Sequence, residues 1–322
     1  MRFAILGAGN IARRFAAALA FETSAELVAV SCRTEEKADA FLEGSPHSKG
    51  ARAYGSHEEL LADSEVDAIY LALPHALHHE WAIAALRAGK AVLCEKPAML
   101  NAAQMREVAN VSRNTGMLFM EAMKPRFVPL HQQVMDALPH IGELTCVEAS
   151  LCNDMLGLVE GAGTYHMTPG PGAGVLLDCG IYCASWIAEL CPAGDVRLMS
   201  IAGVDRDKVD VYADARLLCG GMEARLECAF DRAKQRQATI IGTKGHIVVD
   251  ELHRPQRATM FVDGKEPTEI VAPYDHDDFF SEIHHFVGLV EAGFKESPIM
   301  SLDDSIRCAE IIDAIRAGFA AA

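Results

Sequence analysis

The distribution of hydrophobic residues divides the chain into two parts of different character. In the first part, short apolar runs alternate with stretches whose apolar residues recur at helical spacing. The apolar runs lie at 2–6, 26–31, 66–73, 90–94 and 117–121. Buried strands that alternate with helices predict a parallel sheet with helices on both faces. We therefore predict an α/β domain with a doubly wound parallel sheet over residues 1–122.

Residues 123–322 have a pattern dominated by strands. Helices are expected at 130–138, 175–190, 282–291 and 305–319. Strands are expected at 144–151, 196–204, 209–218, 222–230, 238–241, 246–250, 259–262 and 268–271. This arrangement predicts a second, α+β domain with a large open sheet, mostly antiparallel, covered by helices on one face.

Composition narrows the class of protein further. The 322 residues carry a net charge of -16, which argues against nonspecific binding to nucleic acid or to an anionic membrane. No apolar run approaches the roughly 18 to 20 residues that span a bilayer. The ten cysteines include no C-x-x-C pair, and the N-terminus enters a strand without the pattern of a secretion signal. We expect reduced thiols and a cytoplasmic location.

The first strand ends in the pattern G-x-G-x-x-A, and an Ala-rich helix follows it at once. Gly7 suits a tight turn, Gly9 lets a pyrophosphate approach the main chain, and Ala12 allows close packing of helix on strand. The free amides of the first helical turn, at Asn10 and Ile11, then face the phosphates. The pattern predicts that Gly7, Gly9, Asn10 and Ile11 bind a dinucleotide.

The end of the second strand predicts which dinucleotide binds. Sites for NAD usually place Asp or Glu there, whereas this chain has Ser31, Cys32 and Arg33. A small hydroxyl at Ser31 leaves room, and the Arg33 guanidinium can hold a 2'-phosphate. We predict NADP as cofactor, while Glu35 and Glu36 leave NAD open.

Two further strand ends carry polar side chains. Leu73, Pro74, His75 and His78 follow one strand, at the end of the sheet where α/β folds bind ligands. The histidines are interpreted as lying beside the nicotinamide or capping a helix, because no other metal ligand has suitable spacing. Similarly, the acids at 275, 277 and 278 are interpreted as the dipole-compensating start of a helix.

The next strand ends in Glu95-Lys96-Pro97. Pro97 fixes its own φ and biases Lys96 away from helical backbone, so a cis or strained turn can aim the Lys96 amine into the cleft. An ammonium beside a substrate oxygen can donate a proton or a hydrogen bond during hydride transfer.

These motifs together resemble the glucose-fructose oxidoreductase, inositol dehydrogenase and rhizopine-catabolism (Gfo/Idh/MocA) family. The matching segments are 7–12, Leu73-Pro74-His75 with His78, Glu95-Lys96-Pro97, 126–129, 172–182 and 241–247. The resemblance implies that Lys96 is the catalytic lysine and that the open sheet face pairs with a second subunit in a homodimer. Glu95, Lys96 and Arg126 complete the set of residues expected to bind the cofactor.

A second chemical cluster follows the glycine-rich segment 170–174. Asp178 and Tyr182 are four residues apart on the predicted helix, which puts both side chains on one face. Many family members carry Asp and His there, and the tyrosine resembles the branch of dimeric dihydrodiol dehydrogenases and anhydrosugar reductases. An ammonium favours the charged form of a phenol, so Lys96 is expected to lower the pKa of Tyr182 while Asp178 orients the reacting hydroxyl. Alternatively, Tyr182 only packs in a helix interface.

We therefore predict an NAD(P)-dependent oxidoreductase that transfers hydride to or from a sugar, polyol, anhydrosugar or trans-dihydrodiol. Substrate specificity is expected to lie in segments 153–168 and 232–236. The alternatives are a cofactor-binding sensor without turnover, and a metal-dependent hydrolase or lyase that uses His75 and His276.

Overall fold

The computed structural model describes residues 1–45, 48, 50–161 and 165–321. The chain forms two compact units. The first comprises residues 1–99, 103–124 and 275–302, and the second comprises 100–102, 125–274 and 303–322. Part of segment 153–168, where substrate specificity is expected to lie, falls outside the described residues.

The first unit contains a six-stranded parallel sheet. Its strands are β1 (Arg2–Leu6), β2 (Glu26–Ser31), β3 (Arg52–Tyr54), β4 (Ala68–Leu71), β5 (Ala91–Glu95) and β6 (Phe119–Ala122). The order β3-β2-β1-β4-β5-β6 reverses between β1 and β4, which confirms the predicted doubly wound α/β sheet and identifies it as a Rossmann fold. Ligands of such sheets bind at the carboxyl ends of the strands, at this reversal.

Helices connect these strands because each strand must reach the next in parallel. They are α1 (Asn10–Leu19), α2 (Glu35–Glu43), α3 (His57–Ala62), α4 (His78–Arg87) and α5 (Ala102–Thr115). Every residue of β4 and β5 is buried, as expected for strands covered on both faces. In this core the rings of Phe15 and Tyr70 stack with centroids 3.7 Å apart.

The first unit also includes residues 275–302, which a single domain boundary at residue 122 would assign to the second unit. Helix α9 (Phe280–Glu291) lies in this segment. Its Phe286 ring is buried, with its centroid 5.7 Å from that of Phe3 in β1. The apolar face of α9 therefore completes the core of the nucleotide-binding unit, and helical spacing alone does not indicate which core it joins.

The second unit contains an eight-stranded sheet, and each of the eight predicted strands is present. The strands are β7 (Leu144–Cys152), β8 (Val196–Arg206), β9 (Val209–Cys219), β10 (Met222–Ala229), β11 (Gln237–Gly242), β12 (Gly245–Asp250), β13 (Arg257–Val262) and β14 (Thr268–Val271). Their order is β14-β13-β12-β11-β7-β10-β9-β8, and only β7 and β10 pair in parallel.

Helices of the second unit cover one face of this sheet. These are α6 (Pro129–Ala137), α8 (Ile181–Leu190) and α10 (Leu302–Ala321), and the unit also contains the short helix α7 (Leu156–Gly161). Along β7, Val147, Ala149 and Leu151 are buried, whereas Glu148 and Ser150 are half-buried on the other face. The predicted open sheet with one covered face is confirmed.

The helix expected over 175–190 is divided in two. Residues Leu176–Gly180 form a π-helical turn, and α8 begins at Ile181. Single π turns inside helices are rare and occur frequently at functional sites. No helix among the described residues is both long and apolar enough to cross a membrane.

Candidate active site

The turn after β1 has the geometry of a phosphate cradle. Gly7 has φ +100°, and a Cβ there would lie 2.5 Å from the carbonyl oxygen of Ala72, so only glycine fits. Gly9 is exposed and stands at the N-cap of α1, where a Cβ would meet no atom within 4 Å. The first turn of α1 has no acidic residue and no capping side chain from the described residues. Its amides, including those of Asn10 and Ile11, therefore fit an anionic pyrophosphate.

The end of β2 presents Arg33 but not Ser31. The Ser31 side chain is fully buried, and its Oγ lies 2.6 Å from Nδ1 of His57. Burial lowers the pKa of His57, so the ring is neutral and can accept from this hydroxyl. A contact between Ser31 and the ribose stays a prediction, against which this burial argues. Arg33 is exposed and makes no hydrogen bond or ion pair with a described residue.

The turn after β4 connects two strand ends through His78. This ring is fully buried, with Nε2 2.8 Å from the Leu73 carbonyl oxygen and Nδ1 3.0 Å from the Pro97 carbonyl oxygen. Burial lowers the pKa of His78 despite these carbonyls, so the neutral ring donates its one N–H to one of them. His78 therefore supports the loop that carries Lys96, and a direct contact with the cofactor stays a prediction.

The other residues of the same turn differ in exposure. Pro74 is exposed, Leu73 is half-buried, and His75 is buried with its ring centroid 5.7 Å from that of His78. No group of three or more potential metal-binding side chains occurs among the residues that the structure describes.

The turn after β5 places a charged pair at the carboxyl edge of the sheet. Lys96 is half-buried, and the peptide bond to Pro97 is cis. Glu95 is buried and accepts a hydrogen bond from the Tyr70 hydroxyl. Burial raises the pKa of Glu95, while that hydrogen bond, Lys96 and Lys124 act in the opposite direction. The amine of Lys96 thus follows a strand end in the same sheet as the phosphate cradle.

The first unit also contains an ion cluster that sequence reasoning missed. Asp278, only 4% exposed, forms ion pairs with Lys124 and Arg14. Of the acids interpreted as a helix start, Asp277 accepts from the backbone amides of Phe279 and Phe280, as expected, at 2.9 Å. Asp278 instead forms the ion pairs of this cluster. Sequence alone could not distinguish it, because it is one of several acids in the same short segment.

In the second unit, Asp178 lies within the π turn and is half-buried. Tyr182 lies in the first turn of α8 and is 9% exposed, with its ring centroid 5.9 Å from that of His253. The two residues thus belong to one continuous helical segment, as the four-residue spacing indicates.

Arg126 makes buried contacts within the second unit. Its Nε lies 2.9 Å from Ser185 Oγ, and its guanidinium pairs with Glu189 at 3.5 Å and Asp304 at 3.4 Å. The pKa of Arg126 is raised: burial lowers it, and the nearby carboxylates more than offset this. These contacts indicate a structural role, and binding of the cofactor by Arg126 stays a prediction.

Comparison with known proteins agrees with these features. The family model described as "Oxidoreductase family, NAD-binding Rossmann fold" matches residues 1–123, and the model described as "GFO/IDH/MocA C-terminal domain" matches residues 137–248. The chain belongs to the GFO/IDH/MocA oxidoreductase family. The resemblance deduced from the motifs is confirmed, and the protein is an NAD(P)-dependent oxidoreductase.

Relatives of this GFO/IDH/MocA protein span nearly its whole length. Trans-1,2-dihydrobenzene-1,2-diol dehydrogenase of Mus musculus is 32% identical over 98% of this chain and 96% of its own. The scyllo-inositol 2-dehydrogenase (NADP(+)) of Bacillus subtilis is 31% identical over the same shares.

A solved structure gives the same fold with a cofactor. A 3-ketoreductase from Actinomadura kijaniata, in complex with NADP and TDP-benzene, has a TM-score of 0.86 and 30% identity, over 99% of this chain and 97% of its own. Further structures of that ketoreductase contain a lysine-to-alanine or a tyrosine-to-phenylalanine substitution.

Proposed function

We propose that this protein is an NADP-dependent dehydrogenase or reductase that interconverts a CH–OH group and a carbonyl in a sugar, polyol, anhydrosugar or trans-diol. The nicotinamide, when bound, supplies or accepts the hydride. The observation that carries the proposal is the lysine after β5, at the same carboxyl edge as the phosphate cradle after β1. A sensor that only binds a nucleotide needs the cradle but has no need of this amine.

NADP is favoured over NAD by the residues at the end of β2. The Arg33 guanidinium is exposed and has no partner among the described residues, which suits a 2'-phosphate, and no carboxylate occupies the strand end to repel one. The NADP dependence named for the Bacillus relative, and the NADP bound in the ketoreductase, support the same choice.

Lys96 and Tyr182 are proposed to handle the proton of the reacting hydroxyl. The Lys96 ammonium donates a hydrogen bond to the substrate oxygen, and the Tyr182 phenol transfers the proton. Asp178 orients the hydroxyl. That a lysine and a tyrosine were substituted in the related ketoreductase supports this pairing of residue types.

The cofactor is tested by titrating NADPH and NADH separately and following nicotinamide fluorescence. Arg33→Ala should weaken NADPH binding by about tenfold or more and leave NADH binding unchanged, because only NADPH offers the phosphate. Arg257→Ala, which removes an exposed arginine of β13 paired with Glu269, is the matched control. Equal binding of both cofactors, indifferent to Arg33, would contradict the choice of NADP.

Turnover is tested with trans-1,2-dihydrobenzene-1,2-diol, scyllo-inositol and D-xylose as probes, and with a wider panel of aldoses and anhydrosugars. Lys96→Met and Tyr182→Phe should each lower kcat by about a hundredfold or more while NADPH still binds, the usual scale for losing a general acid or base. Binding of NADPH without turnover of any probe would favour the sensor. An unchanged rate in Lys96→Met would remove this lysine from the mechanism.

The open face of the eight-stranded sheet is proposed as the homodimer interface. On this face Ile241, Val248 and Phe261 are half-buried, and the Phe261 ring stacks on His246 with centroids 4.6 Å apart. Light scattering should give twice the chain mass, and Phe261→Glu should give monomers because it puts a charge into an apolar contact. A monomeric wild type would contradict the dimer.

A cytoplasmic location is proposed from the thiols. All ten cysteines are free, and all but Cys146 are buried. Reduced thiols are typical of a reducing compartment. Cell fractionation with a marker for each compartment tests this location.

A further inference from the structure

The π turn that carries Asp178 is held at its start by a side chain from another element. Val175, the N-cap residue of the turn, makes no side-chain cap. The next backbone amide, that of Leu176, donates instead to Oδ2 of Asp210 on β9 at 2.7 Å. A carboxylate from the sheet therefore replaces the missing cap.

A β-bulge directs Asp210 toward this turn. Simple alternation along β9 would put Asp210 on the same face as Tyr212 and Asp214. However, Tyr212 pairs with Val204 whereas Asp210 pairs with Asp205, so β9 contains one extra residue. Bulges re-aim side chains and are common next to active sites. This extra residue explains how Asp210 reaches the helix-covered side of the sheet.

The glycine-rich segment leaves space for the carboxylate. Gly174 has φ +100°, and a Cβ there would lie 1.9 Å from Oδ1 of Asp210. Both the backbone conformation and the lack of a side chain at Gly174 are therefore needed for this contact. The Asp210 carboxylate therefore packs against the Gly174 backbone just before the π turn.

The surroundings of Asp210 disfavour the ionised form of its carboxyl group. Burial raises the pKa of Asp210 to about 6, the Leu176 amide and Arg316 of α10 lower it, and Asp205 of β8 raises it. The Cys228 thiol of β10 also interacts with it. A carboxylate with this desolvation cost is a poor choice for stability alone.

We propose that Asp210 is a positioning residue for the oxidoreductase reaction, because its hydrogen bond to the Leu176 amide fixes the π turn that carries Asp178 and leads into α8, which carries Tyr182. This inference rests on the proposed roles of Asp178 and Tyr182. Asp210 acts through the backbone of the turn, so its loss alters the chemical step rather than the binding of the cofactor.

The test compares Asp210→Ala with Asp210→Asn, whose amide oxygen can still accept from Leu176. Asp210→Ala should lower kcat about tenfold with unchanged NADPH affinity, the scale expected for one lost hydrogen bond. Asp210→Asn should restore most of the rate. Asp205→Asn, which removes the neighbouring exposed carboxylate, is the control and should match wild type. The assay uses whichever of the three named probes is turned over.

Amide hydrogen exchange of segment 174–182 gives a readout that needs no substrate. Exchange should be about tenfold faster in Asp210→Ala and close to wild type in Asp210→Asn, because the hydrogen bond limits local opening. If Asp210→Ala does not fold, Asp210→Val also lacks the acceptor and suits a strand better. Wild-type exchange and kcat in both variants without an acceptor would overturn the inference.

Failure of the proposed function has a different signature. If Tyr182→Phe is fully active, the proton role of Tyr182 fails whatever Asp210 does. If Tyr182→Phe is inactive but Asp210→Ala is fully active, only the role of Asp210 fails.

Discussion

Replacement of Glu282 by methionine should stabilise the first unit. Glu282 lies on α9 and is 1% exposed, and neither carboxylate oxygen has a hydrogen-bond partner among the described residues. Burial raises the pKa of Glu282 well above its usual range, with a further contribution from the Glu95 and Asp278 charges and an opposing one from Lys124. Methionine has similar length and flexibility and no polar atom to leave unsatisfied.

The magnitude follows from desolvation and proton linkage. Each buried polar group without a partner costs about 1–3 kcal/mol, so Glu282→Met should raise the free energy of unfolding at pH 7 by about 2 kcal/mol or more. Because the folded pKa of Glu282 is raised, the folded state holds a proton that the unfolded state releases. Wild-type stability should therefore fall, relative to the variant, by about 1.4 kcal/mol per pH unit between the unfolded and folded pKa values.

Urea denaturation followed by tryptophan fluorescence measures this difference. The chain has two tryptophans, Trp81 in the first unit and Trp186 in the second, so a Trp186→Phe background makes Trp81 the reporter. Measurements at pH 5, 6 and 7 should show a gap between Glu282 and Glu282→Met that widens with pH. Glu291→Met, at the exposed end of the same helix, is the control and should show no gap. A gap that is absent, or that does not change with pH, would refute the reasoning.

Two further predictions separate binding from stability. Gly9→Val should leave the free energy of unfolding within about 0.5 kcal/mol of wild type because the new side chain enters open space, yet it should abolish NADPH binding by filling the phosphate cradle. Gly7→Ala should instead lower the free energy of unfolding by about 2 kcal/mol or more, because its Cβ meets the Ala72 carbonyl. Equal effects of the two substitutions on stability would contradict the geometry. Arg126→Met should lower the free energy of unfolding by about 1–3 kcal/mol, because the half-buried carboxylates of Glu189 and Asp304 lose a charged partner while Glu189 keeps His131. NADPH affinity should stay unchanged, and loss of affinity in a folded variant would support binding of the cofactor by Arg126.

Local sequence patterns were sufficient to predict both folds, and they also indicated site residues whose roles stay predictions. Alternating apolar runs and helical stretches predict a parallel sheet because parallel strands need crossover helices. The eight later strands follow from period-two patterning, which depends only on neighbours along the chain. Gly7 and Gly9 were predictable for a similar reason, since turn geometry and close approach of a ligand restrict residue choice locally.

Other features depended on contacts between residues far apart in sequence. Ser31 ends a strand beside the site, yet a neighbouring His57 buries its hydroxyl. His78 was expected near the cofactor, but its two nitrogens meet the carbonyls of two separate loops. Periodicity reports which residues are buried but not which partner buries them.

Both folds follow from patterns along the chain, and the structure confirms them. The phosphate role of the Gly7 turn and the catalytic role of Lys96 were predicted from short motifs and stay predictions. Contacts in the folded chain were needed to show that α9 joins the first unit and that Asp210 binds the turn bearing Asp178. The physical reason is that one extra residue in β9 reverses the alternation of its side chains, and this bulge exists only when β9 pairs with β8.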